Sequence, residues 1–218
     1  MNYYQNRNPF ANIPPVIKNL LIINAIMLLA TYIFGDVMYE KLSLFYPASP
    51  FFKPYQFITH MFMHGNFVHL FFNMYTLWIF GCALESIWGS KRFFTFYMAT
   101  GIGAAAFHTF VLWITASSMP TYSMEYHQLL MTPTVGASGA IYGVLLGYGM
   151  LFPNNVLQLI FPPVALKAKW FVLIFGALEL ILGLTNTGGN VAHFAHLGGM
   201  IFAYILIRYW RKKNKLYF

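Results

Sequence analysis

Charge is what this chain has least of. Only 8% of its 218 residues are charged, and just five are acidic. A soluble globular domain carries about 25% charged residues. So sparse a set cannot keep a folded surface in water, and the chain is expected to be an integral membrane protein. Cysteine is nearly absent as well. The single Cys82 excludes an intrachain disulfide, and with it any need for an oxidising compartment. Its apolar neighbours make it a small packed side chain. No repeat or low-complexity tract divides the sequence, and its length suits one compact helical bundle. The first fifteen residues are polar, with no basic start followed by a short apolar core. No cleavable signal peptide is therefore expected.

What is present is apolar bulk: 59% of the chain is hydrophobic and 20% of the chain is aromatic. A helix needs ~20 apolar residues to cross the hydrocarbon layer. Six segments meet or approach that length: 16–35, 67–86, 93–115, 136–152, 169–185 and 191–209. The expected fold is all-α, a polytopic membrane protein of six transmembrane helices. Residues 1–15 read as a cytoplasmic segment, 16–210 as the membrane domain and 211–218 as a basic cytoplasmic tail.

Basic residues test that plan. Eleven fall on one side: Arg7, Lys18, Lys91, Arg92, Lys167, Lys169, Arg208, Arg211, Lys212, Lys213 and Lys215. Only Lys41 and Lys53 fall on the other. The positive-inside rule puts both termini in the cytoplasm, as in a bacterial inner (plasma) membrane. The net charge of +8 does not point to nucleic acid, because the basic residues sit at ends and short connections. The cluster after residue 207 suits a flank beside anionic membrane lipid.

The connections are unequal. Residues 36–66 are too polar to span and too aromatic for a free linker, so they read as short interfacial helices. The stretch 116–135 is polar and lacks Lys and Arg. The fourth span is short, so one end is recessed. Thr134-Val135-Gly136 reads as a loop that dips in to meet it, which is tolerable only where it is buried in protein or faces a cavity.

In this topology the second, fourth and sixth spans all run inward. They place His69 and Asn73, Ser138, and His196 at one depth, within roughly 10 Å of the outer helix ends at 1.5 Å per residue. Polar groups at such depth are functional candidates by default. A Ser with a His is the minimum equipment for attack on an acyl group, since the imidazole can take the hydroxyl proton. His69 and Asn73 are four apart, as are Ser138 and Tyr142, so each pair shares a helix face. Tyr142 can therefore pack one turn below Ser138 against an imidazole. Gly139, Gly143 and Gly147 repeat every four residues, a stripe that admits a close neighbour. The matching face on the sixth span is His196, Gly199 and Ala203, so the stripe is expected to meet that span.

Each feature has a plainer reading. Gly-Ala-Ser-Gly is a common helix-packing sequence. His69 with Asn73 is weak evidence for a metal site, lacking acidic or thiol partners. His60, His108 and His127 read best as interfacial decoration. The joint occurrence of four polar residues at one depth is what favours catalysis.

The motifs carry a resemblance. His64-Gly65-Asn66-Phe67-Val68-His69-Leu70-Phe71-Phe72-Asn73-Met74 resembles the second-span motif of the rhomboid family of intramembrane serine proteases. Gly81 to Leu84-Glu85 and Gly89 resemble the turn that follows it. Gly136-Ala137-Ser138-Gly139-Ala140-Ile141-Tyr142-Gly143 resembles the nucleophile motif, and Ala195-His196-Leu197-Gly198-Gly199 the general-base motif. The resemblance implies Ser138 as nucleophile and His196 as base, with no acidic third member. It implies Tyr142 stacked on His196, and an oxyanion hole from the Ser138 N–H, His69 and Asn73. It also implies transmembrane proteins as substrates, no cofactor and no metal. The Trp-Arg pair of the first loop in some members is replaced by Phe51-Phe52-Lys53-Pro54-Tyr55-Gln56, which leaves the anchoring of that loop unexplained. His193 receives no role beyond lining the site. Glu179 lies inside the fifth span with no basic residue expected at its depth, so it is expected to be protonated or hydrogen-bonded to a neighbouring helix. Two other classes compete: a non-catalytic relative that binds client transmembrane helices, and a small transporter. The latter needs internal repeats and a through path, and neither is visible.

Overall fold

The protein's computed structural model describes residues 13–158, 163–185 and 190–213. Arg7, Lys215 and most of the expected terminal segments 1–15 and 211–218 lie outside the described residues. Helix α1 (Pro15–Phe34) leads to the short α2 (Asp36–Leu42). Then come α3 (Gln56–Thr59) and a 3-10 turn at His60–Phe62. Next, α4 (Phe67–Thr76), a π turn (Leu77–Gly81) and α5 (Cys82–Trp88) run on as one helix. The 28-residue α6 (Ser90–Ser117), the short α7 (Met124–Met131) and α8 (Ser138–Leu151) follow. A hairpin of β1 (Val156–Gln158) and β2 (Ala165–Lys167) joins α8 to α9 (Ala168–Thr185), and α10 (Asn190–Lys212) ends the bundle.

Helices stand at all six expected places. Four of them are long and apolar enough to cross a membrane: Pro15–Phe34, Phe67–Trp88, Ser90–Ser117 and Ala168–Thr185. α8 is apolar but has only 14 residues. The outer faces carry Leu29, Ile33, Trp113, Leu173 and Leu184, each more than half exposed. An apolar surface of that extent belongs in lipid rather than water. The first connection does form short helices, as expected. The α7 helix and the hairpin were not expected.

The start of α1 shows how a buried charge is used. Pro15 at the first helical position has no N–H to satisfy, so the first free donors are Val16 and Ile17. Glu85, 2% exposed at the far end of the α4–α5 helix, accepts both N–H groups at 2.9 Å, one on each oxygen. The Ser90 hydroxyl donates to the same carboxylate at 2.7 Å. The carboxylate also complements the positive end of the helix dipole.

The core is aromatic and aliphatic, built around Phe93, Phe96, Tyr97, Leu77 and Ile207, all without exposure. α10 packs against α6, α8 and α9. Its contact with α8 is backbone on backbone: a Cβ at Gly199 would lie 1.9 Å from the Gly139 carbonyl oxygen. Of the α8 glycine stripe only Gly139 takes part in that contact; Gly143 and Gly147 do not, contrary to the expectation from spacing. A Cβ at Gly139 would meet Ala104 at 2.6 Å, and one at Gly143 would meet Thr100 at 2.8 Å. A Cβ at Gly147 would meet Leu84 at 3.1 Å. The stripe therefore faces α6 and α5. Small residues on one helix admit a neighbour closely but do not specify which neighbour comes.

Candidate active site

Ser138 is the first residue of α8. The first N–H groups of a helix have no intrahelical acceptor, so its own N–H is open to a ligand. The chain reaches that point through a pinned loop. Thr134 and Leu44 exchange two backbone hydrogen bonds, at 2.8 and 2.9 Å, which tie the third connection to the first. The Gly136 N–H donates to the His60 carbonyl at 3.0 Å. Thr134 Oγ1 lies 3.1 Å from His108 Nε2. The loop expected to dip into the bundle is thus held by protein contacts, with Gly136 buried, Thr134 and Val135 half-buried, and Val135 lining the cavity at Ser138. Gly136 holds a φ of +127° that side chains rarely adopt, and a Cβ there would stand 3.0 Å from the His69 ring and 3.6 Å from Ser138 Oγ. The missing side chain leaves open the space beside the hydroxyl.

The Ser138 Oγ lies 2.8 Å from His196 Nε2. The ring of Tyr142 stacks on His196 with centroids 4.2 Å apart and planes 7° from parallel. Ser138, His196, Tyr142, His69 and Asn73 all line one cavity of about 350 Å³. Residues from three distant stretches of the sequence meet there. Asn66 caps α4 by accepting from the His69 N–H at 2.8 Å. The Asn73 amide donates to the His69 carbonyl at 3.0 Å. An amide nitrogen carries two donors, so one remains. Apolar walls from Phe72, Phe80, Phe171 and Phe175 complete the cavity.

Glu179 is hydrogen-bonded to neighbouring helices, as one of its two expected states required, but the basic groups beside it were not expected. Among the described residues its carboxylate is not isolated but sits beside two histidines. The Tyr142 hydroxyl donates to Glu179 Oε1 in a short hydrogen bond. His193 Nδ1 lies 2.6 Å from Oε2, and His196 Nδ1 lies 3.0 Å from the same oxygen. An acidic group therefore does stand beside the imidazole, where the resemblance implied none. The donor atoms of Glu179, His193 and His196 lie within 4.8 Å of one another. A cation could be held there only by displacing the hydrogen bonds they already make.

Other histidines are structural. His60 and His108 are buried, at 5% and 1% exposure, not interfacial decoration. The His60 ring bonds the Gln56 carbonyl at 2.8 Å. His64 packs edge-on against His69, 5.0 Å between centroids. Burial pushes the pKa of both His60 and His64 down to about 4, so both are neutral at physiological pH. His127 is exposed. Gln56 was missed from sequence. Wholly buried, its amide donates to the Phe51 carbonyl at 2.9 Å and accepts from the Lys53 N–H at 3.1 Å. It folds the first loop onto itself, which accounts for an anchor without the Trp-Arg pair.

This geometry stands beside clear relatives. The Rhomboid domain family matches residues 52–213. The chain belongs to the rhomboid family. It is 32% identical over 139 residues to Rhomboid protein 1, mitochondrial, of Saccharomyces cerevisiae, covering 63% of this chain and 36% of that one. It is 30% identical over 166 residues to the Presenilin-associated rhomboid-like protein, mitochondrial, of Bos taurus, covering 71% and 39%. It is 32% identical over 157 residues to Rhomboid protease AarA of Providencia stuartii, covering 67% and 54%. The chain thus spans between about a third and a half of the length of these relatives. Family and apolar helices together make it an integral membrane protein. Relatives named as mitochondrial lend no support to the expected bacterial plasma membrane.

Proposed function

We propose that this rhomboid is an intramembrane serine endopeptidase that cuts transmembrane proteins near one membrane face. The observation that carries the reading is the 2.8 Å contact between Ser138 Oγ and His196 Nε2 on the wall of a cavity inside an apolar bundle. One relative is itself named a protease. Ser138 Oγ attacks the scissile carbonyl carbon while His196 Nε2 takes the hydroxyl proton. The negative charge that develops on the carbonyl oxygen meets donors from the Ser138 N–H, His69 and Asn73. Such donors act strongly where water is excluded. His196 then gives its proton to the leaving amine, leaving an acyl-Ser138. Water, deprotonated by His196, attacks that ester and frees the serine.

Substrate helices hide their carbonyls in hydrogen bonds and must unwind locally to be cut. The strong bias of basic residues supports cytoplasmic termini, which sets the site near the opposite face. Six membrane spans, with 16–210 as the membrane domain, complete the proposed plan. A purely client-binding role leaves the Ser138–His196 contact without a purpose. The test is cleavage of a membrane-embedded reporter by purified protein. Ser138→Ala and His196→Ala each abolish cleavage while the fold persists. Wild-type turnover in either variant overturns the reading.

A further inference from the structure

We infer that Glu179 is a positioning residue for the general base, an inference that rests on the reading of His196 as that base. Glu179, Tyr142 and His193 together fix the His196 ring with Nε2 towards Ser138. Five contacts support this. Tyr142 covers one face of the ring, 4.2 Å away and nearly parallel. Its hydroxyl donates to Glu179 Oε1, so the stacking ring is itself tied down. His193, three residues before His196 on α10, holds Oε2 at 2.6 Å. Oε2 then stands 3.0 Å from His196 Nδ1, while Nε2 on the far side meets Ser138 Oγ at 2.8 Å.

Both carboxylate oxygens are engaged, so the group cannot rotate away from the imidazole. Three helices contribute to the arrangement: α8 supplies Tyr142, α9 supplies Glu179, and α10 supplies both histidines. His193 takes the aligned hydrogen bond in this conformation, whereas the His196 Nδ1 contact is close but not aligned as one. A carboxylate at that distance still favours the Nδ1–H tautomer, which leaves Nε2 free to accept the serine proton. It also offsets the positive charge the ring acquires on accepting it. A neighbouring acid acts in this way on a catalytic histidine without itself taking the proton. The carboxylate is only 7% exposed, and a buried charge persists only where hydrogen bonds and opposite charge surround it.

A purely structural tie between α9 and α10 would predict a change in stability alone. The two roles separate in a comparison of wild type, Glu179→Gln, Tyr142→Phe and Ser138→Ala in reporter cleavage, with thermal stability measured alongside. Fluorophosphonate labelling of Ser138 is followed on the folded fraction of each variant except Ser138→Ala. Glu179→Gln keeps the shape and loses the charge. Its kcat and labelling rate fall at least about 10-fold, the loss being ~10⁴-fold where an Asp that holds a triad histidine becomes Asn. KM stays within about twofold, because the loss is made only in the transition state. Tyr142→Phe keeps the stacking ring and frees the carboxylate, and it gives a smaller fall of the same kind. An unchanged kcat and labelling rate for folded Glu179→Gln overturns the inference. Should Glu179→Gln fail to fold, wild-type kcat in Tyr142→Phe overturns it. Ser138→Ala separates the two levels: activity there sinks the protease reading itself, whereas an inactive Ser138→Ala beside a fully active Glu179→Gln sinks only this inference.

Discussion

Gly199→Ala adds one methyl group where two helix backbones touch. Its Cβ would lie 1.9 Å from the Gly139 carbonyl oxygen and 2.8 Å from the carbonyl carbon. Neither atom is the end of a flexible side chain, so relief must come from moving a helix. Restoring an ordinary contact of about 3.4 Å requires α8 and α10 to part by about 1.5 Å along that direction. Gly139 is next to Ser138, and Gly199 is three residues from His196 on the same helix. Even part of that displacement takes the Ser138–His196 distance from 2.8 Å beyond hydrogen-bond reach. A misplacement of ~1 Å at reacting groups costs ~10²-fold in rate. Overpacking of this kind also costs typically ~1–3 kcal/mol. Reporter cleavage by Gly199→Ala is therefore expected to fall about 10²-fold, well beyond any loss of folded protein. Gly143→Ala is the informative comparison. Its Cβ would press on Thr100 of α6 at 2.8 Å, so it strains a different interface and costs more stability than rate. Gly65→Ala meets nothing within 4 Å and is expected to be neutral in both measurements. Gly199→Ala with wild-type kcat would refute the claim that close backbone contact sets the Ser–His geometry.

Three other outcomes are expected. Asn73→Ala and His69→Ala each lower kcat, by about 10²–10³-fold for a lost oxyanion donor, with little change in KM; a change confined to KM would make them substrate-positioning residues instead. Glu85→Gln leaves at least one of the Val16 and Ile17 N–H groups without a carboxylate oxygen, lowering stability in detergent by ~1–3 kcal/mol while the folded enzyme keeps its kcat. Acid destabilises the protein through His60 and His64. Their folded pKa of about 4 lies below the ordinary 6.5, so unfolded chains take up protons that the folded protein refuses. Stability is full above about pH 6.5 and declines as pH falls towards about 4. A Tm that is flat across this range would contradict their burial as neutral rings.

The sequence made some of this legible and concealed the rest for physical reasons. Membrane helices announce themselves by apolar length, so helices at all six places could be read directly. Ser138, His69, Asn73 and His196 could be aligned by counting residues from the helix ends, since rise per residue is fixed. Tyr142 followed from helical spacing. Glu179 could not be matched to His193 and His196, because depth alone says nothing about which faces of α9 and α10 turn towards each other. The same ignorance of rotation misdirected Gly143 and Gly147 towards α10 instead of α6 and α5, while Gly139 does meet α10. Gln56 carries no signal in a local pattern, since its partners are backbone groups of a loop that exists only once folded. The α7 helix is eight residues long, too short for a decisive period, and three-residue strands leave none at all.

In the proposed chemistry Ser138 is a nucleophile activated by His196. The most direct measurement of that activation is labelling of the purified protein with a fluorophosphonate probe, followed by mapping of the modified peptide by mass spectrometry. A single adduct on Ser138 is expected, absent in Ser138→Ala and formed far more slowly in His196→Ala. Labelling that persists in Ser138→Ala, or that proceeds at the wild-type rate in His196→Ala, would contradict it.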